Sequence, residues 1–166
     1  MSRLLDELQI VPGIMPVNLA SGAANGDWVC LKNYESVIVL FLCGVGAASQ
    51  DPTLTLRQAK DVSGTTPAAL NFTTIESKQA SALTAVGQFT KVTQSAGNTY
   101  TNDTAGENQK MWAVEIKGDD LDVENGYDCV QAQLNDPGTN SQIGTVIYIL
   151  GKPRYAADPL PSAIVD

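Results

Sequence analysis

From residue 28 to residue 150 the apolar positions recur every second residue far more often than every third or fourth, and Gly, Pro, Asn and Ser bound the runs. That period belongs to β-strands, whose side chains alternate between two faces. Eight segments carry it: 28–32, 37–43, 53–60, 70–77, 88–94, 111–117, 127–134 and 143–150. In 111–117, Trp112, Val114 and Ile116 share one face while Glu115 and Lys117 take the other. In 53–60, Leu54 and Leu56 alternate with Thr55 and Arg57, and in 70–77 the set Leu70, Phe72 and Thr74 opposes Asn71, Thr73 and Ile75. Segments 37–43 and 143–150 are apolar on both faces, which predicts central strands covered on both sides.

Eight strands, two of them apolar on both faces, fit two packed antiparallel sheets, each holding one buried strand. Jelly-roll connectivity is a common arrangement for that number. The expected fold is an all-β, antiparallel β-sandwich of about eight strands, jelly-roll-like, over residues 18–155. Within it, residues 95–109 are polar apart from Ala96, Tyr100 and Ala105 and predict a loop.

The ends read differently. In residues 1–17, Ser2 can cap a short helix whose stripe is Leu4, Leu5 and Leu8, with Asp6 and Glu7 in its first turns and Pro12-Gly13 as its stop. One leucine stripe cannot hold so short a helix in water, so this N-terminal arm must dock on its own domain or on a neighbour. Residues 156–166 form a Pro-interrupted, extended C-terminal tail with an apolar end. The candidate partner contacts are Leu4, Leu5, Leu8 and Ile10 from the arm and Leu160 and Ile164 from the tail.

Composition narrows the chemistry. A chain of 166 residues suits one domain with a sizeable core. Ten basic against eighteen acidic residues leave a net charge of −8, which repels phosphate backbones and anionic lipid heads, so neither nucleic acid nor membrane is an expected partner. No apolar run is long enough to span a bilayer and the N-terminus lacks the order of a secretory signal, which predicts synthesis in a cytoplasm. Cys30, Cys43 and Cys129 are far apart and odd in number, as expected of reduced, buried thiols. With no histidine, a zinc site would need carboxylates or all three thiols to converge, and no metal is expected. The same lack removes the usual general base for a Ser or Cys nucleophile.

Four features bear on ligand chemistry. The apolar run to Cys43 leads into Gly44-x-Gly46, but Ser49 stands where a dinucleotide fingerprint has its third glycine, and Pro52 and a strand pattern follow in place of a helix. No cofactor is expected. The acidic stretch 118–128 would need glycine at Asn125 and glutamate at Gln131 to be an EF-hand loop. Asn125-Gly126 instead suits a type I′ hairpin setting Leu121 opposite Val130. Nothing fixes a carboxylate in an apolar pocket as a glycosidase acid, and no catalytic residue is assigned. Trp28, Trp112 and the five tyrosines could stack on sugars, but at strand positions they suit a core better.

Four blocks, GDWVCLKNY at 26–34, TLTLRQAKDVSG at 53–64, LDVENGYDCV at 121–130 and YILGKPRY at 148–155, together resemble a family of small virion proteins of tailed bacteriophages. The resemblance spans roughly residues 18–155. It implies a capsid decoration, or cement, protein that binds the outer surface of the head and stabilises contacts between major capsid protein subunits. None of the blocks is a catalytic or ligand motif, so no functional residue transfers. The expected partners are the phage major capsid protein and sister copies in a dimer or trimer, and the expected location is the virion surface. The alternative is a phage fibre or carbohydrate-binding β-sandwich module, which needs exposed aromatics on one sheet face.

Overall fold

The computed structural model describes residues 3–155 and 157–165 and is all-β. Its strands are β1 (Leu8–Asn18), β2 (Ala24–Asn25), β3 (Val29–Cys30), β4 (Tyr34–Cys43), β5 (Leu54–Ala59), β6 (Ala68–Ala69), β7 (Phe72–Ala80), β8 (Thr90–Gly97), β9 (Thr99–Tyr100), β10 (Gln109–Lys117), β11 (Cys129–Leu134) and β12 (Ile143–Pro153). Helical structure among the described residues is confined to short 3-10 turns. The strands form two antiparallel six-stranded sheets, and neither closes into a barrel. The first runs β1-β12-β4-β10-β7-β8. The second runs β2-β11-β5-β6; β3 continues β2 along one edge of β11, and β9 continues β6 along the far edge of β5.

The core lies between the sheets. Trp112 of β10 packs against Phe41 of β4 and, edge-on, against Tyr100 of β9 on the opposite sheet, with ring centroids 5.1 and 4.7 Å away. Tyr148 of β12 crosses the same space, and its hydroxyl oxygen accepts the Ala132 N–H of β11 at 2.8 Å. Trp112 comes from the face that the alternation marks as inward, whereas Phe41 and Tyr148 lie on strands apolar on both faces and Tyr100 lies in the stretch expected to be a loop.

The N-terminal helix shrinks to one 3-10 turn, Leu4–Asp6, and Ser2 lies outside the described residues. From Leu8 the chain is strand β1, antiparallel to β12, and Val11 and Ile14 join the core, so no arm ends at residue 17. Proline is tolerated on an edge strand, where a missing N–H breaks no inner ladder, and the pairing shifts register after Pro12. Gly13 sits there against Tyr148, where a Cβ would stand 2.6 Å from the ring.

In β7, a register shift between Phe72 and Thr74 reverses the alternation, so that Ile75 and Ser77 are buried after Phe72. The extra residues lie in β8, which passes from Gly97 to Thr93 while β7 passes from Phe72 to Thr74, and burial along β7 changes parity across this irregularity. The predicted loop 95–109 begins later, because β8 continues to Gly97 and β9 carries the buried Tyr100.

Residues 118–128 form no hairpin. Two 3-10 turns, Gly118–Asp120 and Val123–Asn125, fill the stretch, and Gly126 ends the second with φ at +84°. The Asp122 N–H donates to Gln58 Oε1 and its carboxylate accepts the Asn125 side-chain amide, so the segment is tied down to β5. The tail is likewise fastened. The Tyr34 hydroxyl donates to the Pro161 carbonyl, the Cys30 N–H donates to the Ala163 carbonyl at 2.7 Å, and Ala163 is buried.

Candidate functional site

The strands expected to be covered on both faces are central in the first sheet, but only one of their faces is covered. Val37, Val39 and Phe41 of β4 and Val146, Tyr148 and Leu150 of β12 point into the core. The alternate residues point outward and align across strands, since directly opposed residues share a face. One row runs Ile10, Ile149, Ile38 and Glu115. The next runs Pro12, Ile147, Leu40, Ala113 and Glu76. A third runs Thr145, Leu42, Met111 and Lys78. Ile10 is 52% exposed and Ile38 36%, while Leu40, Leu42, Ile147 and Ile149 are half-buried by their neighbours on the sheet. The result is an apolar field three rows deep, bounded at its β7 and β10 side by Glu76, Lys78 and Glu115. Lys78 Nζ stands 4.6 Å over the ring of Phe89 at that margin. Covering one such side chain completely is worth about 1.5–3 kcal/mol, and these retain a fraction of that because they are partly covered already.

The six residues singled out from the sequence are divided. Ile10 belongs to the first row, and Leu8 lines a depression with Ile38 and Ile149 at the end of this face. Leu5 and Leu160 line a second depression, so one contact from each chain end does come together. Leu4 is exposed beside it in the sequence, in the 3-10 turn. Ile164, 51% exposed, follows the Ala163 that is bonded to β3 of the other sheet. The residues missed are Ile38, Leu40, Leu42, Ile147 and Ile149. Their signal was the double apolarity of two strands, which reads equally as burial beneath a second layer of the same chain and as burial beneath another molecule.

Elsewhere the polar chemistry is largely structural. Lys110 is buried and its Nζ donates to the Gly44 carbonyl at 3.0 Å, beside the Gln142 amide, which donates to the same oxygen at 3.2 Å. The Gly44-x-Gly46 loop therefore wraps a lysine and a glutamine of its own chain before β5 begins. Burial holds the Lys110 amine below its ordinary pKa and pushes the facing Cys43 thiol above its own. Glu35, Glu115, Lys117, Lys152 and Arg154 line a polar hollow, in which the exposed Lys152 and Glu35 approach to 3.7 Å. An exposed pair of this kind adds little stability. Trp112, Tyr34, Tyr100 and Tyr148 are buried, which leaves Trp28 and Tyr127 half-buried and Tyr155 exposed.

No protein-family model matches the chain, and no curated protein is significantly similar to it.

Proposed function

We propose that the chain is a structural protein of a phage virion that decorates the head, docking on the major capsid protein and bracing contacts between its subunits. The observation that carries this reading is the apolar outer field of the first sheet. Ile38, Leu40, Ile147 and Ile149 stand there on inner strands, with Ile10 beside them on the edge strand, although the outer face of a solvated antiparallel sheet is ordinarily polar. A field of this kind marks a surface meant to be covered by another molecule. Leu5 of the N-terminal turn and Leu160 of the tail line one depression with Gln9 of β1, where they can extend such a contact. The net charge of −8 suits a protein that stays on the outside of a DNA-filled shell.

The strand order supports a jelly roll as the finer description of the sandwich. The first and last long strands, β1 and β12, are neighbours, and β12 parts β1 from β4 while β11 parts β2 and β3 from β5. The β7–β8 hairpin extends the first sheet beyond that eight-strand pattern. The alternative of a glycan-binding or fibre module draws less support, because most of the large aromatics are core residues.

The test is co-sedimentation of the chain with empty heads assembled from the capsid protein encoded nearest to its gene. Wild type is expected to saturate the heads, and Ile38→Lys with Ile149→Lys to lose at least about tenfold in affinity at unchanged circular dichroism. Wild type that ignores heads and binds a glycan array would transfer the chain to the alternative class.

A further inference from the structure

Strands β3 and β11 set Cys30 and Cys129 directly opposite one another. The next pair along, Leu31 and Asp128, carries the ladder hydrogen bond, with the Leu31 N–H donating to the Asp128 carbonyl at 2.8 Å. The two cysteines thus hold a non-hydrogen-bonded position, where opposed side chains of an antiparallel pair stand closest. Asp128 turns its carboxylate to the same spot, and Cys129 Sγ donates to Asp128 Oδ1 at 3.2 Å. The ligand atoms of all three residues lie within 4.8 Å of one another, and no disulfide joins the thiols.

We propose that Cys30, Cys129 and Asp128 form a binding site for one zinc-class divalent cation, clamping β3 to β11. The spacing suits such an ion, since Zn–S bonds of about 2.3 Å in a tetrahedron put two thiolates about 3.8 Å apart. Two soft sulfurs with one oxygen select Zn²⁺ or Cd²⁺ over Ca²⁺ and Mg²⁺, which take oxygen ligands. Three protein ligands leave a fourth place for water. Asp128 is half-buried and gives the ion a route from solvent, whereas both cysteines are buried, with Ala59, Trp28 and Val62 packed around them.

The surroundings act in both directions: a hydrogen bond with Cys30, burial and the Asp128 carboxylate hold the Cys129 thiol protonated in the absence of a cation, while one backbone donor favours charge on Cys30. The Lys32 N–H donates to Cys30 Sγ at 3.4 Å, and hydrogen bonds to a ligating sulfur stabilise its thiolate form. Two thiolates and a carboxylate sum to three negative charges, which a divalent ion lowers to one. The clamp would also steady the tail, because Cys30 donates its N–H to the Ala163 carbonyl. The sequence made metal binding depend on carboxylates or on all three thiols converging. In the fold Cys43 lies on the other sheet opposite Lys110, and Asp128 takes the third place beside the remaining two thiols.

The test titrates the full, reduced chain with Co²⁺ and then with Zn²⁺. Expected are one equivalent of cobalt, an intense near-ultraviolet thiolate-to-cobalt band, and displacement of that band by zinc. Cys30→Ser and Cys129→Ser should each abolish tight binding, Cys43→Ser should preserve it, and Asp128→Asn should weaken it at least about tenfold, since even outer partners of metal ligands cost that much. Absence of the band, its survival in either of the first two variants, or unchanged affinity in Asp128→Asn overturns the site. If the cysteine variants do not fold, X-ray absorption on the zinc-loaded wild type decides: two sulfur neighbours and lighter atoms support the site, and any other sulfur number refutes it.

Discussion

Tyr148 of β12 ties together three strands, because its ring rests on Gly13 of β1 and its hydroxyl oxygen takes the Ala132 N–H of β11 from the second sheet. Burial raises its phenol pKa above the ordinary 10.0. The folded chain therefore keeps a proton that the unfolded chain releases, so this contribution to stability is fully present below pH 10 and is lost as pH rises toward the folded value. Cys43, raised from 9.0 by burial, has the same sign with its loss beginning near pH 9. Lys110, lowered from 10.5 by burial, has the opposite sign: its contribution is present above pH 10.5 and is lost as pH falls through the folded value. Two of these groups lose stability with rising pH and one gains, so the melting temperature should fall between pH 9 and 11, as scanning calorimetry would record. Tyr148→Phe should cost about 1–3 kcal/mol at pH 7 by leaving a buried N–H unpaired, which lowers the melting temperature by about 2–4 °C per kcal/mol. It should also flatten the alkaline fall, and a variant whose alkaline profile matched wild type would exclude Tyr148 as its source.

Among the elements, β1 departs furthest from its sequence pattern. A free arm could be removed without consequence for the sandwich, but β1 pairs with β12 and places Val11 and Ile14 in the core. Deletion of residues 1–12 should therefore destabilise the monomer. The loss of Val11 alone is worth about 1.5–3 kcal/mol, and the bared edge of β12 invites strand-to-strand aggregation. The measurement is chemical denaturation of the truncated chain, and a midpoint equal to wild type would show that β1 is not a structural strand. Most of the remaining strands were legible from alternation, with Trp112, Val114 and Ile116 the clearest case. The irregularity in the β7–β8 pairing was not, because a register shift changes no composition and shows itself only against the partner strand.

For the whole molecule, the decisive fact is that β12, near the C-terminus, lies between β1 and β4. Pairing the first strand with the last closes a loop of more than a hundred residues, so folding should be slow, in the millisecond-to-second range of β-sandwiches. Removing residues 143–166 should abolish cooperative unfolding although most of the strands remain, because β1 would lose β12, its neighbour in the sheet among the described residues, and Val146, Tyr148 and Leu150 would leave the core. A truncated chain with a sharp thermal transition would contradict this.

What the sequence by itself determined was the class: period-two alternation bounded by turn residues forces strands, and the parity of Trp112, Val114 and Ile116 puts those three side chains on one inward face. What only the tertiary structure decided were the relations between distant residues. Alternation is local, whereas an exposed apolar face depends on whether a second layer lies over Ile38 and Ile149, and a thiol cluster depends on which strands are paired. Cys30 and Cys129 are ninety-nine positions apart, and only the register of β3 on β11 brings them together.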